Sequence, residues 1–222
     1  RLEEDIKLLY RFFRDVRVEK EVRGVGVHLT FHVVENPRIV AVRLIGNTEF
    51  ETEDMLEWLQ TERGYPLFQY ALAADRQEIL RHYREEGYHF AEVVTDVYDE
   101  GGGKLVTFVI TEGPMVTIDE IEFRGNESFD ESELRKNMVS EETVFLSTGA
   151  FVQDTLEKDI LAILGFYRSE GYRDARAWLG SLEFSEDKVD ARIRIDIEEG
   201  EPYFIDEIRI EGGETFPADR SV

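Results

Sequence analysis

The chain repeats itself. Val42-Arg43-Leu44-Ile45-Gly46-Asn47 returns as Ile121-Glu122-Phe123-Arg124-Gly125-Asn126, and in weaker form as Ile208-Arg209-Ile210-Glu211-Gly212-Gly213. A second phrase, Tyr83-Arg84-Glu85-Glu86-Gly87-Tyr88, returns as Tyr167-Arg168-Ser169-Glu170-Gly171-Tyr172, and Glu112-Gly113 returns as Glu199-Gly200. Gly125 follows Gly46 by 79 residues, Tyr167 follows Tyr83 by 84, and Gly200 follows Gly113 by 87. Self-similarity at so steady a period specifies a row of small domains rather than one large core. The 222 residues accommodate two whole units, 37–114 and 115–201, with the C-terminal part of a unit before them (1–36) and the first strand of another after (202–222).

Each unit reads in one order: strand, helix, helix, strand, strand. In the first, the β-branched run Ile39 to Ile45 enters the turn dipeptide Gly46-Asn47. A short helix is expected over Thr52 to Gln60 with Thr52 as its N-cap, because Met55, Leu56 and Leu59 recur at helical spacing. A longer helix over Gln69 to Glu86 carries Leu72, Ile79, Leu80 and Tyr83 on one stripe and ends at Gly87. A hairpin follows, its strands beginning at Ala91 and Leu105 and joined through Gly101-Gly102-Gly103. The second unit repeats the order with strands Ile118 to Arg124, Asp174 to Phe184 and Lys188 to Ile197, and helices over Asp130 to Val139 and Val152 to Glu170. The growth of the offset from 79 to 84 places about five extra residues near Ser140 to Ala150, between the helices. On the flanks, Asp5 to Arg11 reads as the end of a helix, Phe13 to Val18 and Val27 to Val34 as a hairpin, and Ile205 to Gly213 as a strand.

Composition narrows the function. Acidic residues number 49 against 26 basic, a net charge of −23, which opposes phosphate binding and excludes nucleic acid as a ligand. Without cysteine there is no disulfide, thiol nucleophile or thiolate zinc site. No apolar run approaches the ~20 residues of a membrane helix. His28 and His32 lie about 13 Å apart along a strand, too far to share one metal. Gly24-Val25-Gly26 and the Gly101 turn do not lead from a strand into a helix, as a phosphate cradle requires. Among so many carboxylates a close pair arises by chance, so no acid–base pair is assigned. The sequence therefore assigns no catalytic, cofactor or metal site, and no enzyme is expected.

The ordered set of motifs resembles the POTRA family, the periplasmic modules that precede the membrane barrel in BamA-type outer-membrane assembly proteins. The resemblance rests on the strand ending in Gly-Asn (Gly46-Asn47, Gly125-Asn126) and on an aspartate eight residues before the helix tyrosine (Asp75 with Tyr83, Asp159 with Tyr167). It rests also on Gly87-Tyr88 and Gly171-Tyr172 followed by Ala91 and Ala175, on the strand ends Glu112-Gly113 and Glu199-Gly200, and on the run Phe13 to Val18. It implies an α+β fold of tandem POTRA domains, each with a three-stranded mixed sheet packed on two helices. It further implies a location at the periplasmic face of the bacterial outer membrane, with membrane contact only through a C-terminal barrel outside this chain. The implied partners are nascent outer-membrane β-barrel proteins, accessory lipoproteins of the assembly complex and periplasmic chaperones. Two other readings stay open: the POTRA region of a related secretion or translocation pore, and an envelope or cell-division scaffold.

What remains for function is backbone. A sheet whose last strand lies between the first and second leaves two edges of unpaired N–H and C=O groups, able to accept an extended peptide as an added strand. The resemblance favours the edge of the second strand. The candidate protein-binding residues are therefore Ala91, Val93, Thr95 and Val97 in the first unit and Arg176, Trp178, Gly180 and Leu182 in the second. Strict alternation turns Ala175, Ala177 and Leu179 toward the helices and Arg176, Trp178, Gly180 and Leu182 away from them.

Overall fold

A computed structural model describes residues 7–9, 13–142 and 149–208, which fall into two compact units, one ending at Val116 and the other beginning at Thr117. The first opens with an antiparallel ribbon, β1 (Phe13–Arg23) and β2 (Gly26–Glu35), turning at Gly24, where φ is +62°. The expected helix before it is described only at residues 7–9, which are helical.

After the ribbon come β3 (Ile39–Ile45), α1 (Thr52–Trp58), α2 (Gln69–Glu85), β4 (Glu92–Glu100) and β5 (Gly103–Thr111). The sheet order is β3-β5-β4, with β3 parallel and β4 antiparallel to the central β5. The second unit repeats this with β6 (Thr117–Arg124), α3 (Glu131–Arg135), α4 (Gln153–Ser169), β7 (Arg176–Phe184) and β8 (Asp190–Glu198), in the order β6-β8-β7. The central strands explain the arrangement. Val106, Phe108 and Ile110 in β5, and Ala191, Ile193, Ile195 and Ile197 in β8, are buried alternate residues against the helices. Ile79, Tyr83 and Met55 meet them in the first unit, and Leu156, Ile163, Tyr167 and Leu134 fill the corresponding core of the second.

Two sequence expectations are corrected. Thr52 is not an N-cap: Glu51 holds that place without a side-chain bond, and the Thr52 hydroxyl instead accepts from Asn47 Nδ2 at 3.0 Å. The second short helix stops at Arg135 rather than running to Val139, because Asp159 takes the Val139 and Ser140 amides that another helical turn would use. Of the strand expected over Ile205 to Gly213, residues 209–213 lie outside the described residues. Within the stretch Ser140 to Ala150, where the extra length was placed, residues 143–148 lie outside the described residues.

Candidate protein-binding edges

The repeated phrases turn out to be clamps. Gly46 and Gly125 each have φ of +89°, and a Cβ there would stand 2.2 Å from the Ile110 carbonyl oxygen and 2.1 Å from that of Ile197. Only glycine lets the first strand end this close to the central one. The asparagine that follows turns inward: Asn47 Nδ2 donates to Phe50 O and Asn126 Nδ2 to Phe129 O, both at 3.0 Å. This seats Phe50 edge-on to Tyr83 and Phe129 edge-on to Tyr167, with centroids 4.9 and 5.1 Å apart.

The buried aspartates hold the loop between the helices. Asp75 accepts from the Gln60 and Thr61 amides at 2.7 and 2.9 Å, and Asp159 from those of Val139 and Ser140 at the same distances. The glutamates close the other end. Tyr83 donates its hydroxyl to Glu112 at 2.7 Å, and Glu112 also accepts from the Thr48 and Glu49 amides and the Thr48 hydroxyl. Tyr167 donates to Glu199 at 2.9 Å, and Glu199 accepts from the Ser128 amide and hydroxyl. Burial first, then the neighbouring carboxylate, holds both tyrosines far above their ordinary range, so they stay protonated donors.

For Glu112, burial alone would raise the pKa, but the bonds from Thr48, Glu49 and Tyr83 outweigh it and the net shift is downward. A carboxylate whose folded pKa is depressed contributes stability above its unfolded value, and that contribution fades as pH falls through the folded one. Acid titration of the unfolding midpoint should therefore show a decline from about pH 5 downward that Glu112→Gln makes shallower. An identical acid slope in the two proteins would contradict the clamp. Tyr83→Phe, which removes one of four bonds to Glu112, should cost about 1 kcal/mol.

The residues expected to bind protein lie on or just before the edge strands of the two sheets. The side chains of Ala91, just before β4, and of Val93 on it are buried, and Val97 packs against the same core. The Thr95 hydroxyl is buried with no partner among the described residues. These four therefore face the core, and the outward side chains of the strand are Val94 and Tyr98, 57% and 55% exposed. Alternation alone had not separated the two faces of this strand by role.

On β7 the structure corrects the expected face of Leu182. The ladder slips between Leu179 and Ser181, so Leu182 pairs with Ile193 and lies on the helix side, beyond a bulge at Gly180. Before the bulge the alternation holds: Ala177 pairs with Ile197, while Arg176 and Trp178 pair with Glu198 and Asp196 on the other face. Trp178 is 45% exposed. A Cβ on Gly180 would meet Asp196 Oδ2 at 2.3 Å, a carboxylate held by Arg194 Nε at 3.0 Å. Sequence reasoning missed this ion pair, and missed Phe50 and Phe129, although each stands three residues past the repeated asparagine.

Comparison with known proteins agrees with the fold. The POTRA family model, described as a surface antigen variable number repeat, matches residues 37–113 and 116–200. The chain is 31% identical over 195 residues to a Treponema pallidum (strain Nichols) protein provisionally named as an outer membrane protein assembly factor, covering 86% of this chain and 23% of that one. It is 28% identical over 207 residues to the outer membrane protein assembly factor BamA of Nitratidesulfovibrio vulgaris, covering 90% and 26%. The chain thus spans about a quarter of the length of these relatives. Among solved structures, BamA from Haemophilus ducreyi lacking POTRA domains 1–3 superposes with a TM-score of 0.52 at 20% identity, over 73% of this chain and 29% of that one. With two successive units matched, over more than half its length, the chain belongs to the POTRA family.

Proposed function

We propose that this chain is a periplasmic scaffold segment of a BamA-like outer-membrane β-barrel assembly protein. It binds client polypeptides by adding them to the outer edges of β4 and β7, and docks accessory lipoproteins and periplasmic chaperones on its other surfaces. Residues 1–36 are then the end of a preceding POTRA domain, 37–114 and 115–201 two complete ones, and 202–222 the start of the next. One observation carries the reading: two successive sheets each present an edge strand whose outward face bears large exposed apolar side chains, Val94 and Tyr98 on one, Trp178 on the other. Backbone pairing supplies affinity for any extended client, and the aromatic residue supplies an anchor of the kind that dominates interface energetics. Among the described residues no helix is long and apolar enough to cross a membrane.

The test uses an unfolded barrel-strand peptide. Trp178→Ala, and separately proline at an outward-facing N–H of β7, should each weaken its binding roughly tenfold, the equivalent of about 1.4 kcal/mol, while circular dichroism stays unchanged. Unchanged binding in both variants removes this edge from the mechanism.

A further inference from the structure

The outer faces of the two sheets, turned away from the helices, are built differently. In the first unit the residues of β5 that alternate with the buried Val106, Phe108 and Ile110 are Leu105, Thr107 and Val109, and the register sets three rows across the sheet. One row runs from Ala41 through Leu105 to Tyr98, the next from Arg43 through Thr107 to Asp96, and the third from Ile45 through Val109 to Val94. The two flanking rows carry no charge, and Ile45 is 53% exposed. The middle row carries one cation on β3 and one anion on β4. Neither has a close partner in its own chain. Arg43 approaches Glu100 only to 3.9 Å, and the half-buried Asp96 makes no ion pair among the described residues.

In the second unit the same rows read Glu120–Arg192–Glu183, Glu122–Arg194–Ser181 and Arg124–Asp196–Trp178. Opposite charges stand side by side in each, and they are paired within the chain: Arg192 Nε donates to Asp119 at 2.8 Å and Arg194 Nε to Asp196 at 3.0 Å. An open sheet face whose charges are satisfied is stable against water. The first unit instead leaves an apolar row exposed and holds its two charges apart, the pattern of a surface that meets a partner.

We propose that the outer face of the first unit's sheet is a self-association surface. Its occupant is the same face of a second copy of this chain, packed sheet on sheet about a two-fold axis that runs along β5. The charges choose the axis. Rotation about β5 exchanges the β3 and β4 sides within each row, so Arg43 meets the partner's Asp96, Ile45 the partner's Val94 and Ala41 the partner's Tyr98. Rotation about an axis across the strands would set Arg43 against the partner's Arg43. The same operation on the second unit would bring Glu120 against the partner's Glu183, so that face takes no part. Three short strands about 4.8 Å apart offer a small face, and the interface is a transient one, with a dissociation constant on the order of 0.1 mM. The second copy covers Val94 and Tyr98, so it competes with a client at the β4 edge and leaves the β7 edge free.

Sedimentation of the full chain from about 10 µM to about 1 mM should show a monomer–dimer equilibrium. Arg43→Asp and Asp96→Arg, made separately, should each weaken it roughly tenfold or more, because each sets like charges face to face. The decisive step is to mix the two variants. In the mixed pair one chain supplies both anions and the other both cations, so association should return to the strength of the original chain. Both variants remain strongly anionic overall, so net charge does not draw them together. Ile45→Lys, at a position already half exposed, should weaken association roughly tenfold while circular dichroism stays unchanged. A chain that stays monomeric at about 1 mM, a dimer that both charge variants leave intact, or a mixture no tighter than its components overturns the second copy as the occupant of this face. Each of those results leaves the proposed client binding standing, since that reading falls only to unchanged peptide binding at β7.

Discussion

Gly46→Ala should lower the thermal midpoint of the first unit by roughly 15 °C. Two costs combine. An alanine at φ of +89° carries the left-handed penalty of about 1–2 kcal/mol. The added carbon would also stand 2.2 Å from the Ile110 carbonyl oxygen, a backbone atom that cannot swing aside without breaking the β3–β5 ladder. Together they amount to at least ~3 kcal/mol, a large share of the stability of a domain this small. Gly102→Ala is the control, because φ there is +83° but nothing lies within 4 Å of the new carbon. It should show the conformational cost alone, and equal losses at the two sites would refute the close-approach argument. Gly125→Ala should behave as Gly46→Ala does, its Cβ falling 2.1 Å from Ile197 O.

Asp75→Ala should cost about 2–4 kcal/mol, because it leaves the buried Thr61 amide and the part-buried Gln60 amide without their acceptor. Asp75 is 1% exposed, so water does not replace the carboxylate readily. Denaturant unfolding should show the midpoint falling while the fold at rest persists. Asp159→Ala should cost a similar amount in the second unit, where the Val139 and Ser140 amides depend on it. Asp99→Ala sets the scale for an exposed carboxylate: it loses a surface ion pair with Lys104 and should change stability by less than about 1 kcal/mol. A loss at Asp75 no greater than at Asp99 would show that the inter-helix loop does not need its clamp.

The architecture was legible because the repeat presents the same solution twice. Strand propensity at Ile39 to Ile45, the apolar stripe ending in Tyr83, and the alternation through Val189, Ile193 and Ile197 are local patterns whose period is the period of the element. Repetition then marked which residues the fold cannot spare. Gly46, Asn47, Asp75, Tyr83 and Glu112 each make a bond or a close approach specific to the residue type, and Gly87 takes a φ of +91°.

Other features depend on neighbours distant in sequence. The face of Leu182 depends on a bulge at Gly180, and the bulge sits against Asp196, a residue of the partner strand held by Arg194. Thr52 lost its capping role because Asn47, five residues back, reached its hydroxyl. The first-strand edge of the second unit is closed by Arg135 and Glu142, a pair that the short helix and the loop after it bring onto the Ile121 backbone. The sequence by itself determined the units and their order of elements, since these follow from periodicity, and it marked the recurring residues without showing the bonds they make. Only the tertiary structure decided which strand edges stay open, because an edge is open or closed according to side chains that folding carries to it from elsewhere in the chain.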